Sequence, residues 1–424
     1  MRKGILLGML FLIVSLYVYG CGKEKNIKKP VIIKYGTWEV LPEQIGVLKD
    51  IIGMFEEKHP GIRVELELAA GAGGTRKILT QMAAGTAPDV FFWGNQRLPL
   101  IAAKGQVLDL TAFFERDEGL VDNYFDEAID GCRYKGRIYA FPHAIGVFGL
   151  YYNKTLFDEA GVSYPDGTWT RDDYLRAAVK LTEDTDGDGR IDRFGTMIPE
   201  KWYAWVVANG GRLFDKDGVK CLMDSPETLE ILRFFRDLRC EHHVVPSPGQ
   251  MTEMGGCGGI ELFTMGKVAM FAMGSFATVD FARNIKDFDW AISPLPKGNT
   301  GRPTTYSMAC NCISSQTRHP EEAWKFVKFY AGRDAELIMA RRKYNVPSLK
   351  SVVDVYTEPP PEGLNVFVEA VEYAQPDWPV EVINFRELSD TVFNPEIDLV
   401  FIGKKTPEEA VKAMVKKTNE FLSK

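Results

Sequence analysis

Between Tyr139 and Phe157 the chain reads Tyr-Ala-Phe-Pro-His-Ala-Ile-Gly-Val-Phe-Gly-Leu-Tyr-Tyr-Asn-Lys-Thr-Leu-Phe, and no other stretch restricts the fold as much. It opens as the second arm of a hairpin whose turn is Lys135-Gly136. Pro142 has no N–H to give a ladder, so a strand here should stop or lie on an edge. Gly146 and Gly149 loosen the middle, and Leu150-Tyr-Tyr then leads into a short helix over 154–160, closed by Gly161. A strand that stops, crosses a flexible segment and restarts is how a chain passes between two lobes. The same residues also fit one buried strand with a kink.

On either side the pattern alternates strand and helix. Val31-Ile-Ile-Lys-Tyr-Gly is a short strand, and Ile45, Leu48, Ile51, Ile52 and Phe55 form a helical stripe over 43–58. Ile62 to Leu68 alternates as a half-buried strand, Gly71 to Gly74 reads as flexible, and Thr75 caps a helix through Ala84. Asp89-Val-Phe-Phe-Trp93 is a continuous apolar run, as in a buried parallel strand. This rhythm predicts an α/β lobe. A second α/β region follows, with a capping box at Thr170 and Asp173, a helix from Ser225-Pro, a Gly-rich loop over 250–259, and a strand over 268–273. Trp290-Ala-Ile-Ser-Pro and Asn345-Val-Pro347 read as two more crossings, and Thr406-Pro-Glu-Glu409 caps a last amphipathic helix.

Three stretches together resemble a family: the extracellular solute-binding proteins of ABC importers, in the group that takes sugars and oligosaccharides. They are the 139–161 segment with its Leu-Tyr-Tyr-Asn-Lys-Thr-Leu-Phe, Met82-Ala-Ala-Gly-Thr-Ala-Pro-Asp-Val-Phe-Phe-Trp-Gly-Asn95, and Gly266-Lys-Val-Ala-Met-Phe-Ala-Met-Gly-Ser-Phe276. They stand in the family's order and cover nearly the whole chain. The resemblance implies a two-lobed α/β fold of the type II periplasmic-binding-protein kind, each lobe a mixed sheet flanked by helices, with the ligand cleft at the hinge. One lobe is then 31–142 with 294–344 and the other 147–291 with 348–424, joined by crossings near 143–146, 292–293 and 345–347.

The start of the chain reads as an export signal. Arg2 and Lys3 precede the apolar run Gly4–Tyr19, and Gly20-Cys21 follows it. Such an ending looks like a bacterial lipobox, which predicts a signal peptide over 1–20, an acylated Cys21 and a tether over 21–30. Tyr19 departs from the usual small residue, and an uncleaved anchor is the alternative. Either way the folded part is expected outside the cytoplasm, held to a membrane. There the six other cysteines have access to disulfide chemistry, but no CxxC pair or His–Cys spacing suggests zinc. The formal net charge of −7 argues against a nucleic-acid partner.

Tryptophan is the main chemical clue, with eight in the chain. The C–H face of a pyranose stacks on aromatic planes while its hydroxyls need paired polar groups, so sugar sites mix Trp or Tyr with acids, amides and Arg. Trp38 precedes Glu39; Trp93 precedes Asn95, Gln96 and Arg97; Trp202 and Tyr203 precede Trp205; Trp378 lies in Gln-Pro-Asp-Trp-Pro. A large core residue is the plainer account of any one of them. The resemblance adds Phe276, where many members have Trp, and His143, near where they place an acid. Arg76, Ser275, Tyr306 and Tyr344 complete the expected ligand set. The sharpest local motif is Asp184-Thr-Asp-Gly-Asp-Gly-Arg-Ile-Asp192. Asp184, Asp186, Asp188, the Arg190 position and Asp192 match the ligand spacing of an EF-hand loop, although Gly195 replaces the expected bidentate acid. A structural Ca²⁺ or an ion-free acidic turn are the two readings.

No nucleophile elbow, HExxH or P-loop is present. The expectation is a monomeric binding protein that needs no cofactor, closes on a sugar and delivers it to a permease. A binder of another polar solute, such as a glycerophosphodiester, is the alternative, and an extracytoplasmic carbohydrate-active enzyme is a rival from another class.

Overall fold

The computed structural model describes residues 29–39, 42–69, 71–376, 382 and 385–423. Cys21 and Trp378 lie outside the described residues. Ten strands are present among those described: β1 Val31–Thr37, β2 Ile62–Leu68, β3 Val90–Gly94, β4 Arg133–Tyr134, β5 Arg137–Ile138, β6 Phe141–Asn153, β7 Met270–Gly274, β8 Trp290–Ser293, β9 Thr305–Ile313 and β10 Gln375–Pro376. The main sheet follows the order β2-β1-β3-β9-β6-β7, with β8 also paired to β6 and β10 to β9. The fold is a two-lobed mixed α/β architecture.

β6 passes through both halves. Its residues Phe141 to Val147 run antiparallel to β9, and Phe148 to Asn153 pair with β7 and β8. The strand therefore does not stop at Pro142. All thirteen residues are buried, and Pro142 sits where the register against β9 shifts. Its missing N–H falls where the ladder is already interrupted. The kinked buried strand is the form observed. Gly146 and Gly149 act by close approach: a Cβ at Gly146 would lie 2.9 Å from Ser307 Oγ, and one at Gly149 would lie 2.7 Å from a Phe367 ring carbon.

The chain returns past β6 at 345–349. Ile145 N–H donates to the Val346 carbonyl at 2.8 Å, and Leu349 N–H donates to Glu336 at 2.9 Å. Ser275 Oγ accepts from Val147 N–H at 3.2 Å and also bonds Asn345, so one side chain joins β6, the end of β7 and this crossing.

Amphipathic helices cover the sheet. Pro42–Lys58 buries Val47, Leu48, Ile51 and Phe55 against Tyr35 and Phe326. Arg171–Lys180 and Pro407–Leu422 each begin with a complete capping box, at Thr170/Asp173 and Thr406/Glu409. Two glycine-rich stretches differ from expectation. The segment from Gly71 is the first turn of a helix reaching Ala84, and Pro248–Glu253 is a helix with its own capping box at Ser247/Gln250. Tertiary packing overrides the propensity of glycine at the first of these, because Gly74 touches Trp38: a Cβ there would lie 2.5 Å from Trp38 Cβ.

Candidate functional site

The parallel strands β1 and β3 end at a groove, and their continuations line it. Three cavities follow one another there. The first, about 270 Å³, is bordered by Trp38, Glu39, Gln44, Phe92, Gln96, Gly146, Phe276, Ser307, Tyr344 and Asn345. The second, about 310 Å³, shares Gln96 and adds Glu200, Lys201, Tyr203, Phe385, Arg386, Ser389 and Asn394. The third, about 580 Å³, shares Tyr203 and runs to Arg302, Tyr373 and Gln375.

Aromatic rings and polar groups face each other in the first cavity. Phe276 is 39% exposed, held edge-on to Phe148 at 6.2 Å, and Trp38 is braced edge-on by Phe92 at 4.6 Å. Glu39 is only 7% exposed, and its Oε2 has no hydrogen-bond partner. Burial pushes its carboxyl up to about 8, against the lowering effect of its hydrogen bond with Thr37. Held neutral, it offers one O–H donor and one carbonyl acceptor. Gln96 Oε1 is also buried without a partner. Orphaned buried polar atoms beside a cavity are positions where a ligand supplies the missing bond. Such a lining suits a ligand that is rich in hydroxyls and has an apolar face.

The structure brings Trp38, Glu39, Gln96, Tyr203, Phe276 and Tyr344 to these cavities. Among the described residues, it does not bring the other expected ones there. Trp93 is fully buried, packed edge-on to Phe91 at 5.6 Å, because strand alternation turns Phe92 and Gly94 to the groove and Trp93 to the core. Trp202 and Trp205 are core residues, against Phe393 and Phe235 respectively. Asn95 is buried and accepts from Met308 N–H at 2.8 Å, which ties β9 to the end of β3. His143 is enclosed by Phe92 and Tyr330, and burial depresses it to about 3, so it is neutral. Ser275 joins the crossing segments as described, Tyr306 is a half-buried residue of β9 that borders none of the cavities, and Arg76 is exposed on its helix. Arg97 is half-buried and donates to Thr75 Oγ1 at 3.3 Å.

Sequence reasoning missed Gln44, Phe92, Ser307 and Asn345 in the first cavity, and Arg386, Ser389 and Asn394 in the second. Phe92 was recoverable from strand parity. Arg386, Ser389 and Asn394 come from a helix whose middle, Ser389–Phe393, is a π turn, and no local residue pattern marks it.

The Asp-rich loop lies apart from the groove. One carboxylate oxygen from each of Asp184, Asp186 and Asp188 comes within 4.8 Å of the others. Asp184 accepts from Gly187 and Gly189 N–H at 2.8 and 2.7 Å. Asp192 instead turns to Thr185 N–H at 2.9 Å and Lys267 at 3.0 Å, and Arg190 pairs with Glu253 at 2.7 Å. No side chain fits at position 195, where a Cβ would lie 2.1 Å from the Ala178 carbonyl oxygen. The six described cysteines are all free thiols.

Residues 38–336 match the family described as bacterial extracellular solute-binding protein. A binding protein of Brucella abortus is 23% identical, over 87% of this chain and 88% of that protein. An arabinooligosaccharide-binding protein of Halalkalibacterium halodurans is 25% identical, over 69% of this chain and 66% of that protein. Among solved structures, the ABC substrate-binding protein of Listeria monocytogenes in complex with cycloalternan superposes with a TM-score of 0.85 at 27% identity, covering 93% of this chain and all of that one.

Proposed function

Because the chain belongs to the family of bacterial extracellular solute-binding proteins, we propose that it captures a sugar or oligosaccharide for an ABC importer and presents it to the membrane permease. The observation that carries this reading is the pairing, in one cavity, of aromatic faces with buried polar atoms that lack partners: Phe276 and Tyr344 beside Glu39 Oε2 and Gln96 Oε1. A sugar ring meets both needs, its C–H face on the rings and its hydroxyls on the orphaned atoms. The arabinooligosaccharide of one relative's name and the cycloalternan bound to the other are of this class. Contacts from both sides of the groove give a ligand its preference for a closed form.

Calorimetry against a panel of mono- and oligosaccharides tests this. One sugar class should bind stoichiometrically and be recovered unchanged after long incubation. Steady release of shorter sugars would overturn the transport reading in favour of a hydrolase. Phe276→Ala should weaken binding about tenfold, as one aromatic contact contributes on the order of 1 kcal/mol or more. The protein acts outside the cytoplasm and, in this reading, as a monomer.

Two further parts of the reading concern a lipid anchor and a metal ion. The Gly20-Cys21 ending of the apolar segment supports a lipid anchor, so Cys21→Ser should release the protein from membranes; unchanged fractionation and lipid labelling would reject it. The convergence of Asp184, Asp186 and Asp188 fits a weak structural Ca²⁺ site built from those three carboxylates, with Asp192 and Arg190 engaged elsewhere. Calorimetry with Ca²⁺ should give heat that Asp186→Ala with Asp188→Ala abolishes, and no heat in the parent protein would leave an ion-free turn.

A further inference from the structure

The first cavity asks for hydrogen-bond donors and has no cation of its own. Among the described residues that border it there is no Lys, Arg or His, and Glu39 is its one carboxyl. That group is 7% exposed and its Oε2 has no partner. Gln96 Oε1 also borders the space, buried and unpartnered. Both orphaned atoms are acceptors. The Asn345 side-chain oxygen is already engaged, by Ser275 and by Val346 N–H at 3.1 Å. The buried phenols of Tyr35 and Tyr330 are pushed well above their usual range, chiefly by burial, and so stay neutral. His143, enclosed by Phe92 and Tyr330, is neutral too. None of these groups supplies a positive charge to the carboxyl. Four aromatic rings, of Trp38, Phe92, Phe276 and Tyr344, border the same space. A ring face is negative, so it attracts a cation more than a neutral hydroxyl.

Resting on the sugar reading above, we propose that the first cavity takes a positively charged ammonium group of the ligand, so that the captured sugar is an amino sugar with a free amine, held by Glu39 and the surrounding rings. A sugar hydroxyl donates once and brings lone pairs to a space already rich in acceptors. An ammonium donates three times and brings none. A hydrogen bond between charged groups is also stronger than a neutral one. The Glu39 carboxyl, raised to about 8, is protonated in the empty protein at neutral pH. On binding, it passes that proton to solvent, and the carboxylate left behind pairs with the ammonium, which keeps its own protons.

The test matches sugars in skeleton and varies one substituent. Glucose is compared with glucosamine and N-acetylglucosamine, and galactose with galactosamine and its N-acetyl form. Cellobiose is compared with the glucosamine dimer of the same linkage and its diacetyl form. All are measured by calorimetry on the full chain at pH 7, with choline and putrescine as ammonium groups that carry no sugar. The free amine of at least one series should bind about tenfold or more tighter than both neutral members. Its binding should release a proton, read from the dependence of the heat on the buffer's ionisation enthalpy, and the neutral sugars should release none. Both the preference and the proton should disappear in Glu39→Gln. Neutral members that bind as well as the amine would overturn the ammonium site and leave the sugar reading intact. So would a preference that releases no proton or survives in Glu39→Gln. Binding of choline or putrescine but of no sugar would keep the ammonium site and overturn both the amino sugar and the sugar reading. Failure of every probe to bind would overturn both proposals.

Discussion

Glu39 shows what one buried side chain fixes. Its carboxyl is raised from the usual 4.5 to about 8 by burial, so the folded protein holds a proton that the unfolded chain releases. The sign follows directly. Well below pH 4.5 both states are protonated and the titration of Glu39 makes no contribution to stability. As pH rises from there to about 8 the folded state is progressively destabilised, by up to about 1.4 kcal/mol per pH unit, and above that the penalty is constant. The Glu39→Gln variant, neutral throughout, should therefore gain in relative melting temperature between pH 5 and pH 8, as read by thermal scans. Parallel pH profiles for the two proteins would show that the carboxyl is ionised at neutral pH. The same scale separates the aromatics. Phe276→Ala should hardly change stability, whereas Trp93→Ala should cost about 3–5 kcal/mol, because it removes a fully buried ring from the core. Which ring does which was only half legible in the sequence. Trp38-Glu39 and Gln96 were recognisable from polar residues placed just after strands. Trp93, Trp202 and Trp205 stood in the same company, and only strand parity or helix packing tells that they point inward.

The elements were more legible than the side chains. Strands and helices with strong periodicity, such as Ile62–Leu68 and the capped helices at Thr170 and Thr406, fall where the pattern puts them. The misses cluster at glycine and proline, where local propensity competes with long-range packing. Gly149 read as a loosening of the chain, but it is a point of contact between β6 and the Phe367 ring of the helix Leu364–Val371. Gly149→Ala should cost about 1–3 kcal/mol through this clash, measurable by denaturant unfolding, and Phe367→Leu should restore part of the loss by making room. If Gly149→Ala were as stable as the parent, the close approach would not constrain the strand. The glycines at 71–74 carry the same lesson, since Gly74 gives way to Trp38 at the edge of the groove.

At the scale of the whole molecule the decisive feature is β6, one strand with neighbours on both sides of the groove. Its ladder partners are β9 in one half and β7 and β8 in the other. Melting either half strips hydrogen bonds from a strand that the other half needs. Thermal unfolding should therefore show one cooperative transition, with calorimetric and van't Hoff enthalpies in agreement; two resolved transitions would mean that the halves fold independently. A door turns on a pin, and its two leaves stay undistorted. Here the axis is itself part of both leaves, so any rotation of one half against the other is taken up as torsion along a hydrogen-bonded ribbon. The restoring force is then set by the ladder and by the Ser275 contacts that clasp it. Under the proposed function, closure on a ligand would wind a spring and release would return it.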